Sequence, residues 1–350
     1  MTDEPEVLCR VESGVGRITL NRPKALHALT LVMCEDMIDA LSIWRYDEQV
    51  QCILIDHSGE RGFCAGGDIR MLAESGAGDA VAARKFFHTE YRLNHLLFSY
   101  PKPVIAVMDG VTMGGGVGLS MPAAVRIATE RTTFAMPETG IGLFPDVGGG
   151  WFLPRLPGKA GLWLALTGAR IKAPDCCALG IATHFMPSER VGAFKAALLA
   201  HPASVAGALA AVVEDPGHAP LAARQADIDR LFGGDSVEAI LDALAAEPGE
   251  WAAAQKETLA TKSPQTLKVA FRQLRTGAAL DDFAANMAME YRIGSRVVRM
   301  HDFLEGVRAV IIDKDNAPAW NPATVEAVSD ALLDDIFAPL SADEEWTPLT

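Results

Sequence analysis

Two carboxylates occupy positions from which they could move a proton. Glu138 follows Pro137 in MPETG, and Asp146 follows Pro145 in FPDVGGG, so a stiff residue precedes each of them within an apolar stretch. Burial would raise the pKa of either carboxyl towards the range that general acid or base catalysis uses. Helix capping explains both residues equally well, because Asp is a strong N-cap and Glu is favourable in a first helical turn. These two stretches alone do not decide between the two interpretations.

Two glycine-bearing loops each follow a predicted strand and precede a helical pattern. They are residues 64–68 (CAGGD) and 114–118 (GGGVG). The first turn of a helix leaves backbone N–H groups unpaired, so two such turns that face one point could bind a developing oxyanion. The alternative is that glycine only allows a tight turn and close helix-to-strand packing. Nucleotide-binding templates do not fit, because Leu119 stands where GxGxxG needs glycine and LPGKAG lacks the Ser or Thr of a P-loop.

The composition is typical of a globular protein that does not bind nucleic acid. The 350 residues are 49% hydrophobic with a mean hydropathy of +0.15, which allows a sizeable core in one large domain or in a domain with an appendage. The net charge of −14 and the pI near 5.0 argue against binding along a phosphate backbone. No apolar stretch approaches the roughly 20 residues of a membrane span, so we expect no membrane partner.

The six cysteines show neither CxxC nor Cys/His metal spacing, so we expect reduced, buried thiols and no bound metal. Such thiols suit a cytosol or a mitochondrial matrix. The N-terminal MTDEPEVLCR is acidic and has the character of neither a signal sequence nor a transit peptide. These features lead us to expect a cytoplasmic protein.

Strand and helix patterns alternate through the first half of the chain. Short strands are predicted over 16–20, 51–56 and 103–109, with two more within 125–136, and helices over 31–44 (N-cap Thr30) and from about 79 to 100. The Gly- and Pro-rich passage 137–158 is too broken for regular structure. Only helical patterns remain after about residue 190. The sequence therefore predicts an α/β core with the active site over residues 1–195 and a helical C-terminal region over residues 196–350.

Four stretches, taken in chain order, resemble the enoyl-CoA hydratase/isomerase (crotonase) superfamily. They are NRPKALHAL, GFCAGGDIRML, PVIAVMDGVTMGGGVGLS and FAMPETGIGLFPDVGGGWFLPRLPG. Within it, GLFPDVGGGWFLPRL, SPQTLKVAFRQLR, MEYRIGSR and HDFLEGVRAVIIDKDNAPAWNP are similar to 3-hydroxyisobutyryl-CoA hydrolases. The resemblance implies a crotonase-like fold of repeated ββα units, an acyl-CoA substrate, no cofactor and a place in valine catabolism. It also implies a homo-oligomer, a trimer or hexamer, although the extended helical region could alter that assembly.

The resemblance further implies roles for individual residues. The backbone N–H groups of Gly67 and Gly115 form the oxyanion hole, where a side chain at 115 would crowd the thioester oxygen. Glu138 either attacks the thioester to form an anhydride or activates water, and Asp146 binds the substrate 3-hydroxyl and helps to manage the proton. Contacts with substrate or CoA are expected at Lys24, Leu26, Ala65, Ile69, Gly114 and Gly118, and the acyl pocket at Phe87, Tyr91 and Phe144.

Gly118 occupies the position at which the hydratases of the family carry a second glutamate. Without that carboxylate, hydration of a double bond lacks half of its acid–base pair. The favoured interpretation is a thioesterase that cleaves 3-hydroxyisobutyryl-CoA, or a near relative such as 3-hydroxypropionyl-CoA, to the hydroxy acid and CoA. One alternative is an enoyl-CoA hydratase or isomerase that uses Glu138 as its single base. The other is a catalytically silent acyl-CoA-binding protein.

Overall fold

The computed structural model of the protein describes residues 4–349, which form two β-sheets surrounded by α-helices. The strands are β1 (Val7–Glu12), β2 (Val15–Leu20), β3 (Cys52–His57), β4 (Gly62–Cys64), β5 (Val104–Met108), β6 (Val111–Met113), β7 (Val125–Ala128), β8 (Thr133–Ala135), β9 (Ile171–Lys172) and β10 (His184–Phe185). The helices up to residue 210 are α1 (Leu31–Trp44), α2 (Ile69–Gly76), α3 (Val81–Phe98), α4 (Gly115–Ser120), α5 (Gly149–Phe152), α6 (Ala160–Thr167), α7 (Ala173–Ala178), α8 (Val191–Ala200) and α9 (Val205–Ala210). Beyond them come α10 (Gln225–Leu231), α11 (Val237–Ala246), α12 (Glu250–Ala260), α13 (Pro264–Ala278), α14 (Phe283–Val297), α15 (His301–Val307) and α16 (Asp330–Phe337).

The larger sheet has the strand order β1-β2-β3-β5-β7-β10, and the smaller has the order β4-β6-β8-β9. In the larger sheet only the β1–β2 pair is antiparallel. In the smaller sheet β4, β6 and β8 are parallel and β9 runs against β8. Both faces of β3 and β5 are covered, which agrees with their nearly continuous apolar sequences.

Three consecutive segments repeat one arrangement. β3, β5 and β7 lie side by side in the larger sheet, and each is followed by a strand of the smaller sheet, β4, β6 or β8. Each unit then enters a helix, namely α2, α4 or the short 3-10 helix Glu138–Ile141. Because β4, β6 and β8 are parallel neighbours, their carboxyl ends meet at one edge, and the segments that follow them lie close together. The repeated ββα units that the resemblance implies are thus confirmed.

Local sequence signals account for the longer elements. The predicted helix over 31–44 is present, and the Thr30 hydroxyl accepts a hydrogen bond from the N–H of Met33, as an N-cap does. Its apolar residues Met33, Cys34, Met37, Leu41 and Trp44 are buried. The five predicted strands and the helix near 79–100 are present as well, and no residue after Phe185 and up to 349 lies in a strand.

The structure also contains elements that the sequence did not predict. β4, β6, β9 and β10 are two or three residues long, too short for an alternating pattern to appear. β1 is absent from the predicted strands, although it pairs with β2 along its whole length. The passage 137–158, expected to be irregular, contains α5 and two short 3-10 helices.

The helical C-terminal region packs directly on the larger sheet. A second apolar cluster joins the larger sheet (Val15, Cys52, Leu54, Ile105) to α8 and α9 through Phe194, Leu198 and Leu209. A boundary after residue 195 would therefore divide α8, which runs from Val191 to Ala200.

Candidate active site

A cavity of about 510 Å³ opens at the edge where β4, β6 and β8 end. Its wall combines residues from all three ββα units with residues from the C-terminal region. The three units, α3 and the loop after the third unit contribute Ala65, Gly66, Gly67, Ile69, Leu72, Phe86, Phe87, Glu90, Met113, Gly114, Gly115, Pro137, Glu138, Gly140, Ile141, Leu143, Asp146 and Val147. Beyond these come Arg170, Thr261, Lys262, Val310, Ile311, Asn316 and Pro318. The cavity is thus mainly apolar, with a few polar groups, as small-molecule sites usually are.

The two glycine loops touch each other through their main chains. An ideal Cβ built on Gly114 would lie 3.0 Å from the Cα of Gly66, and Gly114 has a φ of +47° that favours glycine. A Cβ on Gly116 would lie 2.4 Å from the carbonyl oxygen of Cys64. No side chain fits between these two segments, so glycine is required there by close backbone approach.

The backbone N–H groups of Gly67 and Gly115 are available to a ligand. Both residues line the cavity, and neither N–H donates a hydrogen bond to any atom of residues 4–349. Gly115 is the first residue of α4, where an N–H has no partner inside the helix. An isolated parallel bridge between Leu29 and Gly67 fixes the first loop. In this bridge the N–H of Leu29 donates a hydrogen bond to the carbonyl of Gly66, and the carbonyl of Leu29 accepts one from the N–H of Asp68.

Three carboxyls share the same cavity. Glu138 and Asp146, which the sequence singled out, are each 5% exposed, and Glu90 of α3 is 2% exposed. The Tyr91 hydroxyl donates a hydrogen bond of 2.9 Å to Oδ2 of Asp146. Glu138 Oε2 and Glu90 Oε1 are buried and have no hydrogen-bond partner among residues 4–349. The structure therefore brings Glu138 and Asp146 together and adds a carboxyl that the sequence analysis missed.

Burial raises the pKa of each carboxyl in this group. Burial raises the pKa of Asp146 to about 7, although the hydrogen bond from Tyr91 acts in the opposite direction. Burial, and then the charge of Asp146, raise the pKa of Glu138 and that of Glu90 well above the ordinary range for a glutamate. Carboxyls in this state can hold a proton near neutral pH and act as stronger bases once they lose it.

Glu290 of α14 holds the loop that carries Asp146. Its carboxylate accepts hydrogen bonds from the N–H of Gly148 (2.8 Å) and of Gly150 (2.9 Å), and from the side-chain amides of Gln273 and Asn286. Gln273 also donates to the carbonyl of Pro145 at 2.7 Å, directly before Asp146. Burial raises the pKa of Glu290 to about 8, while the two backbone donors and Asn286 lower it.

The turn that carries Glu138 is held by α13 and α15. A Cβ on Gly142 would lie 2.1 Å from the carbonyl oxygen of Asp302, and one on Gly306 would lie 2.4 Å from the carbonyl carbon of Ile141. The N–H of Ser263 donates to the carbonyl of Thr139 at 3.1 Å. The C-terminal region therefore contacts the main chain on the carboxyl side of Glu138.

Two cations lie on the cavity wall. They are Arg170, directly before β9, and Lys262, between α12 and α13. Burial, and then the neighbouring charge of Arg170, lower the pKa of Lys262. Two positive side chains this close together favour an anionic ligand. Within residues 4–349 no group of three or more His, Cys, Asp or Glu side chains is arranged to hold a metal ion.

The expected substrate and CoA contacts divide into two sets. Ala65, Ile69 and Gly114 lie on the cavity wall, as does Phe87 of the expected acyl pocket. Lys24 and Leu26 lie outside the wall; Lys24 is exposed, and the carbonyl of Leu26 accepts a hydrogen bond from the N–H of Ala65. Phe144 is fully buried away from the cavity.

Gly118 does not contact the cavity either. A Cβ there would lie 2.7 Å from Nδ2 of Asn94 and 2.7 Å from Cβ of Val147. Asn94 also donates to the carbonyl of Gly118 at 3.0 Å. Asn94 and Val147 thus cover Gly118, and the ligand contact expected there stays a prediction.

Sequence reasoning missed Glu90, Arg170 and Lys262. Glu90 lies within the helical pattern of α3, where a lone Glu is most simply explained as a solvated residue. Its only local signal is its position between Phe86, Phe87 and Tyr91 on what is otherwise an apolar helix face. Arg170 and Lys262 come from distant segments of the chain, and only tertiary packing brings them to one wall.

A search of protein families matches residues 15–337 to the enoyl-CoA hydratase/isomerase family. The chain belongs to this family. The match extends beyond the three ββα units and includes the helices that hold the Asp146 loop and the Glu138 turn.

Curated relatives agree with the resemblance noted from the sequence. The chain is 46% identical over 344 residues to the mitochondrial 3-hydroxyisobutyryl-CoA hydrolase of Danio rerio, covering 96% of this chain and 90% of that protein. It is 42% identical over 348 residues to the Homo sapiens protein of the same name, covering 97% and 90%. The resemblance to 3-hydroxyisobutyryl-CoA hydrolases is confirmed.

Solved structures show the same fold. A structure described as a carnitinyl-CoA dehydratase from Mycobacterium thermoresistibile is 41% identical with a TM-score of 0.94, and covers 98% of this chain and 99% of its own. One described as an enoyl-CoA hydratase from Rhodobacter sphaeroides is 40% identical with a TM-score of 0.91, covering 98% and 100%. The crotonase-like fold with a helical C-terminal region is confirmed.

The cytoplasmic location expected from the sequence is wrong on this comparison, because the curated relatives are mitochondrial by name. The thiol state does not separate the two compartments: all six cysteines are free, which suits a matrix as well as a cytosol. No helix within residues 4–349 is both long and apolar enough to cross a bilayer.

The contact between the glycine loops predicts a large difference between two glycine substitutions. Gly116→Ala would place a Cβ 2.4 Å from the Cys64 carbonyl oxygen, and such overpacking costs about 1–3 kcal/mol of unfolding free energy. Gly192→Ala is the matched control, because a Cβ there meets nothing within 4 Å. In α8 that change should stabilise by up to about 1 kcal/mol. Denaturant unfolding of both variants measures the difference, and equal stabilities would contradict the contact.

The buried carboxyls predict that stability falls as pH rises. The folded protein keeps protons on Asp146 and Glu290, whose pKa values are raised to about 7 and about 8, while the unfolded chain has already released them. Stability therefore decreases as the pH rises from about 4, the ordinary pKa of a carboxyl, to about 7 for Asp146 and about 8 for Glu290, by up to about 1.4 kcal/mol per pH unit for each proton retained. Asp146→Asn removes one such proton and should give a shallower slope in thermal unfolding across this range. A slope that the substitution leaves unchanged would contradict the raised pKa of Asp146.

Proposed function

We propose that the protein hydrolyses the thioester of 3-hydroxyisobutyryl-CoA, or of a close 3-hydroxyacyl-CoA, to the free hydroxy acid and CoA. The observation that carries this proposal is one cavity holding two unpaired backbone N–H groups, at Gly67 and Gly115, together with the buried carboxyls of Glu138 and Asp146. The curated relatives that match over nearly the whole chain carry the name of this activity. Participation in valine catabolism belongs to the same proposal.

The two N–H groups would bind the thioester oxygen as it becomes negative. Loss of one such donor costs about 2.7–4 kcal/mol of transition-state stabilisation in other enzymes. The donors belong to the main chain, and the contact between the two loops fixes them without help from any flexible side chain. Arg170 and Lys262 would attract an anionic group of the CoA moiety.

Two routes lead from this arrangement to the same products. In the first, the Glu138 carboxylate takes a proton from water as that water attacks the carbonyl carbon; the C–S bond breaks, and the proton passes to the CoA thiolate. In the second, Glu138 itself attacks, the thiolate leaves and takes a proton from Asp146, and water then cleaves the mixed anhydride. A single turnover in ¹⁸O-labelled water separates them, because only the second route can leave label in the Glu138 carboxyl.

The second candidate is an enoyl-CoA hydratase or isomerase that uses Glu138 as its only base. It is favoured by the descriptions of the two solved structures about 40% identical to this chain. Against it stands Gly118, the position of the second hydratase glutamate. A side chain there would meet Asn94 and Val147 at 2.7 Å, so this position has no room for a carboxylate that reaches the cavity. This argument makes hydrolysis the better-supported activity.

An assay of free CoA release tests the proposal directly. A panel of 3-hydroxyacyl and enoyl thioesters of CoA is incubated with the enzyme and the free thiol is trapped. We expect CoA release from 3-hydroxyisobutyryl-CoA, and Glu138→Gln should lower its kcat by about 100-fold or more with little change in CoA affinity, because a base or nucleophile is lost. Exposed Glu74→Gln is the control and should keep wild-type turnover. Hydration of enoyl thioesters without thiol release would favour the second candidate, and binding without any turnover would favour a silent acyl-CoA-binding protein.

Substrates with and without the 3-hydroxyl test the role of Asp146. If Asp146 accepts a hydrogen bond from that hydroxyl, Asp146→Asn should lower kcat/KM more for 3-hydroxyisobutyryl-CoA than for isobutyryl-CoA. An amide oxygen is a weaker acceptor than a carboxylate, and a hydrogen bond to a charged group contributes about 1.5–3 kcal/mol. A difference of about tenfold or more between the two substrates is expected. Equal losses on both would indicate a general role in proton transfer instead.

The trimer or hexamer that the resemblance implies stays a prediction. Sedimentation of the purified chain at several concentrations measures its mass in solution.

A further inference from the structure

The cavity holds one carboxyl that the proposed chemistry does not use. Glu90 is 2% exposed and lies on the cavity wall. Its Oε1 atom is buried and has no hydrogen-bond partner among residues 4–349. A Cβ on Gly115 would lie 2.8 Å from this Oε1 atom, so Glu90 is next to the main chain that carries a proposed oxyanion donor.

A charged Glu90 would be poorly supported by its surroundings. The ionisable groups that face it are Cys34 of α1, Cys64 of β4, Tyr91 of its own helix and Asp146 of the loop before α5, none of which is cationic. A buried carboxylate without hydrogen bonds or a counter-ion is very costly, whereas the neutral acid costs far less. The Tyr91 hydroxyl, in contrast, donates to Asp146 and stabilises negative charge there.

From this geometry we propose that Glu90 is a positioning residue that keeps its proton beside Asp146, so that Asp146 is the carboxyl of this pair that ionises first and exchanges a proton near neutral pH. The inference rests on the proposed function, since Asp146 has its role in that reaction. Two like charges in one apolar pocket do not both form at neutral pH, and the group with a hydrogen-bond donor ionises first. Glu90 thus decides which carboxyl is charged while transferring no proton to the substrate.

The charge state of Glu90 should also affect how the turnover of the enzyme depends on pH. Burial, followed by the charge of Asp146, raises the pKa of Glu90, and no donor offsets these two effects. When Glu90 finally ionises at alkaline pH, it adds a negative charge close to Gly115, where the thioester oxygen becomes negative. Turnover should therefore fall in that range because the two charges repel each other.

The test compares wild type with Glu90→Gln, which keeps the size of the side chain and mimics its neutral form. We expect kcat for 3-hydroxyisobutyryl-CoA at pH 7 within about threefold of wild type, and an alkaline decline that is present in wild type and absent from the variant. Glu74→Gln, an exposed change outside the cavity on α2, should keep the wild-type profile. Thermal unfolding of each variant verifies that it is folded.

A second measurement does not depend on activity. The infrared spectrum of wild type at pH 7 should contain the C=O stretch of an un-ionised carboxyl that is missing from Glu90→Gln, and Glu74→Gln should retain it. Identical carboxyl bands in wild type and Glu90→Gln, an unchanged alkaline decline, or a loss of kcat beyond about 100-fold in the variant would each overturn the proposal. If wild type releases no CoA from any thioester, the proposed hydrolysis fails, and the infrared difference alone decides whether Glu90 holds the proton.

Discussion

The site depends on the direct contact between two stretches of main chain, Gly66 and Gly114–Gly116. They follow the parallel neighbours β4 and β6, so the pairing of these strands brings them together. Glycine loses more conformational entropy on folding than any other residue. The chain offsets that loss by burying a contact in which no Cβ fits at 114 or 116. One result is that the N–H groups of Gly67 and Gly115 hold fixed positions on one cavity wall, which is the preorganisation that electrostatic stabilisation of an oxyanion requires.

The cavity combines this rigid frame with an unfavourable set of charges. Glu90, Glu138 and Asp146 are almost fully buried, and Tyr91 is the one side chain among residues 4–349 that donates a hydrogen bond to any of them. Such an arrangement costs stability when the carboxyls ionise, and the same cost raises their pKa values into a useful range. The nearby cations Arg170 and Lys262 lie on the same wall without pairing to these carboxyls, which leaves them free for the anionic part of a ligand.

Local patterns predicted the parts of the structure that depend on local physics. The periodic apolar residues of α1 and its Thr30 cap, the buried strands β3 and β5, and the absence of strands after residue 185 within the described chain all followed from sequence. The motifs around Gly67, Gly115, Glu138 and Asp146 also directed attention to residues that the fold brings to one cavity. Glu90 and Lys262 could not be found in this way, because neither belongs to a local pattern and both reach the cavity through tertiary packing. Lys24 and Leu26, which the resemblance led us to expect as CoA contacts, do not line this cavity, and their contact with CoA stays a prediction.

The C-terminal region does more than enlarge the protein. Glu290 of α14 binds the N–H groups of Gly148 and Gly150, and Gln273 of α13 binds the carbonyl of Pro145, so the loop of Asp146 is held on both sides by helices from the second half of the chain. α15 approaches the Glu138 turn so closely that Gly142 and Gly306 have no room for a Cβ. Contacts at this distance transmit small displacements directly, because the main chain cannot give way as a flexible side chain can. The geometry of both carboxyls is therefore a property of the whole chain, and a core that ended near residue 195 would lack the groups that hold them in place.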